Sequence, residues 1–194
     1  GESSQTLLKK DPLKFRRNCQ MIFQNPFDTF DPRYRLKKIL MDPMKLHGIG
    51  SSEEERMQMV LEVLEQSGLT PAIDYVDRFP HELSGGQLQR ACICRSMMNA
   101  PEILFADEPT GALNRSAAKE VMRELVRVNR EGTAVLLVTH DSGVASQCDR
   151  ILYLLDGRIC GELEMEREAV GQPADLTKKR REEKVNGWLS GMGW

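Results

Sequence analysis

Apolar positions along this chain fall into two regimes. Between Tyr34 and Glu82 they recur at helical spacing. In EEERMQMVLEVLEQSG the side chains of Met57, Val60, Leu61 and Leu64 share one face, acids fill the first turn, Ser51 or Ser52 can cap the start, and Gly68 marks the end. Elsewhere the apolar residues gather in short unbroken runs. CQMIF (Cys19 to Phe23), EILFA (Glu102 to Ala106) and TAVLLVT (Thr133 to Thr139) read as strands, with helices from about Leu88 to Met98 and from about Ser116 to Arg130. Strand, helix, strand at this spacing is a crossover unit of an α/β sheet, and runs without polar alternation suit parallel strands covered on both faces. QNPFDTFDPR, after the first strand, reads as an irregular loop, and ILYLLDGRICGEL as a hairpin turned by Asp156 and Gly157.

The pattern changes again after Glu164, where the chain is polar and charged, with KKRREEK at Lys178 to Lys184. Val185, Trp188, Leu189 and Met192 then fall at i, i+3, i+4 and i+7, one apolar stripe. Two readings stay open: a terminal helix docked on its own domain, or a helix offered to a partner or a membrane surface. Gly187, Gly191 and Gly193 weaken either one. The opening stretch, Gly1 to Asp11, is polar and carries no core pattern, as if the chain started inside something larger.

Composition narrows the class. The 194 residues are 40% hydrophobic and 29% charged, enough apolar material for a sizeable core and unlike a disordered tail. A formal net charge of -2 supplies no electrostatic footprint for nucleic acid, so no nucleic-acid partner is expected. Runs such as AVLLV and ILYLL are strand-sized, far short of the ~20 residues that a membrane helix needs. Five scattered cysteines and no secretory signal point to a reducing cytosolic setting. Cys92 and Cys94 lie two apart on a predicted helix, facing different ways, and read as buried small hydrophobes rather than metal ligands.

Four places carry chemistry. In LSGGQ, Ser84 and Gln87 have the S-x-x-Q spacing of a capping box at a helix start. Gly85 and Gly86 inside that first turn cost about 1 kcal/mol each against alanine, which makes sense where something approaches the backbone closely; a helix start of this kind suits phosphate. In ILFADEP a buried strand delivers Asp107 and Glu108 at its C-terminal edge, where ligands bind in open α/β sheets. Asp107 is placed to hold Mg²⁺ and Glu108 to polarise an attacking water in phosphoryl transfer; taken alone, the pair reads equally well as acids solvating a strand end. His140 closes the third strand in the same way and could reach a terminal phosphate at the same edge. Gln24, after the first strand, could bind a metal-bound water.

Taken in order and spacing, these segments resemble the nucleotide-binding domain of ABC transporters. MIFQ looks like the Q-loop, LSGGQ the ABC signature, ILFADEP the Walker B segment with its catalytic glutamate, GALN the D-loop and VTHD the switch-histidine segment, over about Leu7 to Glu164. The resemblance implies a P-loop-type α/β core with a parallel sheet, lacking the Walker A strand and loop, and an inserted helical subdomain. It divides the chain into a partial ATPase domain, 1–164, with a helical subdomain at 29–98 and the core and hairpin at 99–164, and a tail, 165–194. It also implies ATP and Mg²⁺ as cofactors. Glu108 and His140 would be catalytic, Asp107 and Gln24 would serve the metal, and Gln24, Ser84, Gly85, Gly86, Gln87 and Asn114 would serve nucleotide. Family members pair head to tail, so LSGGQ and the acid pair would serve two different ATP molecules, with the two glycines facing outward.

The implied partners are a second ABC ATPase subunit, identical or not, and a transmembrane permease subunit seated around the Q-loop near Phe27 to Tyr34. The place would be the cytoplasmic face of the membrane. No G-x-x-x-x-G-K-S/T occurs in the chain, so by itself it is expected to bind ATP weakly or not at all. The alternative is therefore a non-catalytic module that only lends LSGGQ to an intact partner. Asn114 stands where the D-loop usually has Asp. QNPFDTFDPR and HELSGGQLQR look like the ATPases of dipeptide, oligopeptide and nickel importers. ADEPTGALN, the stretch from Val138 to Leu163 and WLSGMGW look more like exporters of antimicrobial peptides, macrolides or lipoproteins. A peptide-handling transporter is expected, with the direction open. A DNA-repair or translation ATPase would need coiled-coil or basic insertions, and none is present.

Overall fold

The three unbroken apolar runs lie side by side as parallel strands, β1 (Cys19–Ile22), β2 (Ile103–Asp107) and β3 (Ala134–Val138), with β2 in the middle. This is the expected parallel α/β sheet. A computed structural model describes residues 4–166 and 174–193; residues 1–3 of the polar head, 167–173 of the charged tail and Trp194 lie outside the described residues. The chain divides into two units, Gly1–Val138 and Thr139–Trp194.

In the first unit, register pairs Met21 with Phe105 and Phe105 with Leu136, so alternate side chains sort to opposite faces. Ile22, Leu104 and Ala106 are buried on one face. On the other, Met21, Phe105, Leu136 and Val138 are 36–52% exposed, so the expectation of strands covered on both faces holds for one face only. Before the sheet run α1 (Ser4–Lys10) and α2 (Pro12–Asn18), the second capped by Asp11, whose carboxylate accepts from Lys14 N at 2.9 Å. Between β1 and β2 come a 3₁₀ turn at Pro26–Asp28, then α3 (Leu36–Leu46), α4 (Glu53–Gln66), α5 (Ile73–Val76), a second 3₁₀ turn at Pro80–Glu82 and α6 (Gly85–Met97). The crossover helix α7 (Arg115–Arg130) links β2 to β3.

Helix α4 starts as its caps dictate: Ser52 is the N-cap, its hydroxyl accepting from Glu55 N at 3.1 Å. Its buried face is Val60, Val63 and Leu64, with Met57 and Leu61 half-buried, a slight rotation of the expected stripe. Helix α6 is different, because nine of its residues are buried, including Gln89 and Arg90. That explains how Cys92 and Cys94 point apart and are both inside; burial pushes both thiols up to about 12, which makes them inert small hydrophobes at ordinary pH.

The second unit begins with the short α8 (Ser142–Ala145), capped by Asp141, and the antiparallel hairpin β4 (Arg150–Leu155) and β5 (Arg158–Glu164). Asp156 (φ 48°) and Gly157 (φ 74°) both take the left-handed conformation that the hairpin turn requires. Helix α9 (Ala174–Gly191) docks on this hairpin, burying Val185 and Leu189 with Met165 against Ile151, Tyr153 and Leu163. Of the two readings of the terminal stripe, docking on its own domain is the one that the structure takes. Arg181, from the charged run, turns inward: its guanidinium donates to the carbonyls of Ser146, Cys148 and Glu166, each at 2.7 Å. Among the described residues no helix is long and apolar enough to cross a membrane.

Candidate functional site

Strand β2 ends at Asp107, which pairs with Val138 at the C-terminal edge of the sheet. Glu108 follows with φ 44°, a left-handed conformation rare for a residue with a Cβ. It is held there from two sides: its N–H donates to Val138 O at 2.9 Å, and its carbonyl accepts from Gly111 N at 3.0 Å, closing the tight turn Glu108–Gly111. Strain of this kind, of order 1–3 kcal/mol, collects at working sites. Asp107 and Glu108 are both half-buried.

Gln24 reaches this turn from the end of β1. A Cβ built on Gly111 would stand 3.1 Å from Gln24 Nε2 and 3.6 Å from Glu108 Cβ, so the amide of Gln24 fills the space that a side chain at 111 would take. Gly111 was not among the residues the motifs pointed to; the Pro-Thr-Gly turn was the available signal. Asp107, Glu108 and Gln24 thus gather at one edge of the first unit. His140 lies two residues beyond Val138, exposed, in the second unit.

At the start of α6 the capping box forms in full. Gln87 N donates to Ser84 Oγ at 3.3 Å and Ser84 N to Gln87 Oε1 at 3.0 Å, while Gln87 Nε2 reaches Tyr75 Oη at 3.4 Å. The amide of Gln87 is therefore engaged at both ends within the chain. The expectation that both glycines face outward needs correction. Gly86 is buried, and a Cβ on it would stand 2.6 Å from the Cβ of Ala117 on α7; Gly85 is half-buried, with Leu113 Cδ2 3.4 Å from its would-be Cβ. What approaches Gly86 closely is the chain's own next helix. Ser84 is exposed.

Asn114 caps that helix, its Oδ1 accepting from Ala117 N at 3.0 Å. An amide oxygen does here what a carboxylate would, which accounts locally for Asn at this position. The glycine pair and the segment Leu113–Ala117 therefore form one joint between α6 and α7.

The donor set fits Mg²⁺ better than a softer metal. Asp107 and Gln24 offer hard oxygens, and among the described residues no three His, Cys, Asp or Glu side chains converge as a dedicated cage would require. Magnesium keeps several waters and is held by one or two protein oxygens together with phosphate oxygens.

A family model described as ABC transporter matches residues 2–111. The putative oligopeptide transport ATP-binding protein YkfD of Bacillus subtilis is 39% identical over 158 residues, 79% of this chain and 47% of that one. A putative peptide import ATP-binding protein of Brucella ovis is 38% identical over 161 residues, 82% of this chain and 50% of that one. Among solved structures, a dimeric ATP-binding cassette in a post-hydrolysis state, bound to ADP and Pi, shares 31% identity with a TM-score of 0.67 over 81% of this chain and 69% of that chain. The chain spans about half the length of these curated relatives. With the family match covering more than half of the 194 residues and the strand edge, turn and helix cap in the places described, the chain belongs to the ABC transporter family.

Proposed function

We propose that this chain is part of an ATP-hydrolysing subunit that couples hydrolysis to transport of peptides or related compounds across a membrane, inward as the name of its Brucella ovis relative has it. The observation that carries the reading is the meeting of the Gln24 amide with the Glu108 turn at Gly111, on the C-terminal edge of a parallel sheet. In this reading Glu108 is the general base toward an attacking water and Asp107 holds Mg²⁺, directly or through water. Gln24 contacts the metal's water and senses the terminal phosphate, and His140 steadies that phosphate. Mg²⁺ supplies charge neutralisation on the phosphate oxygens when bound.

Ser84, Gly85 and Gly86 meet the ATP held by a second ATPase subunit, through the exposed Ser84 hydroxyl and the backbone of the glycines rather than an open glycine face; Gln87 acts there by fixing the cap, and Asn114 by fixing the joint. Residues 29–98 make up the helical subdomain, and the permease subunit seats near Phe27 and Tyr34, which are 53% and 41% exposed. The subunit is peripheral on the cytoplasmic face of the membrane.

The test uses the whole natural gene product. Glu108→Gln is expected to lower steady-state ATP turnover by about 100-fold or more while ATP stays bound. Turnover at the wild-type rate would overturn the assignment of the base, and a wild-type product without ATPase activity would favour a module that lends its signature helix to another ATPase.

A further inference from the structure

Gln89 is completely buried in α6, an expensive place for a carboxamide. Its Nε2 donates to the carbonyl of Phe23 at 3.2 Å, and its Oε1 is buried without a hydrogen-bond partner. A methionine of similar length would fill the same space and bring no unpartnered oxygen, so packing does not explain the glutamine. The bond does. Phe23 O and Gln24 N belong to one planar peptide unit, and a hydrogen bond that fixes the first sets the direction in which Gln24 leaves the strand.

Strand pairing stops one residue earlier, at Ile22 with Ala106, so the β2 ladder does not set that direction. Six residues further along α6, Arg95 donates to Thr29 O at 3.2 Å. The segment from Gln24 to Asp28 is thus suspended between two attachments to one rigid helix, about 9 Å apart along its axis. Within the segment, Asn25 closes the 3₁₀ turn through Phe27 N at 3.2 Å and Asp28 at 2.6 Å. Gln24 is left as the adjustable residue, with its amide at Gly111.

We propose that Gln89 is a positioning residue for Gln24: its carboxamide ties the Phe23–Gln24 peptide to α6 and so keeps the Gln24 amide beside Gly111 and the Glu108 turn. The inference rests on the proposed ATPase reading for its kinetic consequence and on geometry alone for its structural one. Removing the Gln89 amide takes the donor from Phe23 O but also removes the buried, unpartnered Oε1, so the two effects on stability oppose each other.

Gln89→Met, made in the whole gene product, separates the two consequences. Amide exchange across Gln24–Thr29 is expected to rise about tenfold, the loss of one hydrogen bond, with β1 and the rest of α6 unchanged and Tm little changed. The kcat for ATP is expected to fall about ten- to a hundredfold with KM little changed, and in a Gln24→Ala background Gln89→Met is expected to add no further loss. Gln89→Asn, polar but one methylene too short, should give the same pattern and keeps the test decisive if the methionine variant folds badly. Unchanged exchange at Gln24–Thr29, or an equal loss of kcat with and without Gln24, overturns the proposal. A wild-type product that hydrolyses no ATP defeats the functional reading instead, and the exchange measurement still decides the role of Gln89.

Discussion

Two glycines sit at helix contacts in the two units, and they are under different constraints. Gly86 on α6 faces the Cβ of Ala117 on α7, an atom that moves only if the α7 backbone moves. Gly161 on β5 lies beneath Met192 and Trp188 of α9, and a Cβ there would stand 2.7 Å from Met192 Cε and 2.9 Å from Trp188 Cζ2. Those are the far ends of side chains, one of them flexible at every bond. In the first unit, glycine sets the distance between two backbones; in the second it makes room for two side chains, of which Met192 can turn aside and the Trp188 ring can shift. The separation of α6 and α7 is therefore fixed by their backbones, whereas the contact at Gly161 depends on side chains.

Three substitutions bear on that difference, each read by peptide-level hydrogen exchange together with thermal unfolding. Leu189→Ala removes one of the three buried residues, Met165, Val185 and Leu189, at the contact of α9 with the hairpin and should cost about 2–5 kcal/mol, confined to residues beyond Val138. If protection fell equally in α6 and α7, the separation into two units would be wrong. Gly86→Ala comes next. Helix propensity alone would make it stabilising by about 1 kcal/mol, but the clash with Ala117 should reverse the sign, to a net loss of about 1 kcal/mol or more. Ala117→Gly in the same chain should recover most of it, and a stabilised Gly86→Ala would show that α7 yields. The smallest effect is expected from Gly161→Ala, below about 1 kcal/mol, because Met192 can swing aside; a loss as large as that at Gly86 would erase the contrast.

The extent to which this was readable beforehand varies by residue. Ser52, Asn114 and Ser84 each cap a helix through a neighbour three residues away, Glu55, Ala117 and Gln87, and spacings that short are visible in the chain itself. The left-handed turn at Asp156 and Gly157 belongs to the same class. LSGGQ was harder. Two glycines in a helix start announce a close approach but do not say what approaches, and the reading of an outward-facing pair missed that Ala117, thirty-one positions from Gly86, takes the space.

Gln89 left no signal, since one more polar residue in a helix with charged neighbours looks solvated until the helix is found to be enclosed. Arg181 hid in the same way within KKRREEK, and only folding shows that it satisfies three carbonyls while Lys178, Lys179, Arg180, Glu183 and Lys184 are exposed. The strand runs were read as covered on both faces because continuous apolar sequence says how a strand would like to be buried. Which face the helices cover is a matter of topology, and here Met21, Phe105, Leu136 and Val138 remain uncovered.

From its sequence alone this protein's elements were determined: three parallel strands, their crossover helix, the caps, the hairpin turn and the order of segments by which the family is known. Each depends on periodicity or on partners a few residues apart, so local backbone preference and side-chain reach suffice. Tertiary structure alone decided that Gly86 is a packing residue, that Gln24 meets Glu108 over Gly111, that Gln89 holds Phe23 and that α9 lies on its own hairpin. Those contacts join residues tens of positions apart, and their energies come from burial and close approach, which exist only once the chain has folded around them.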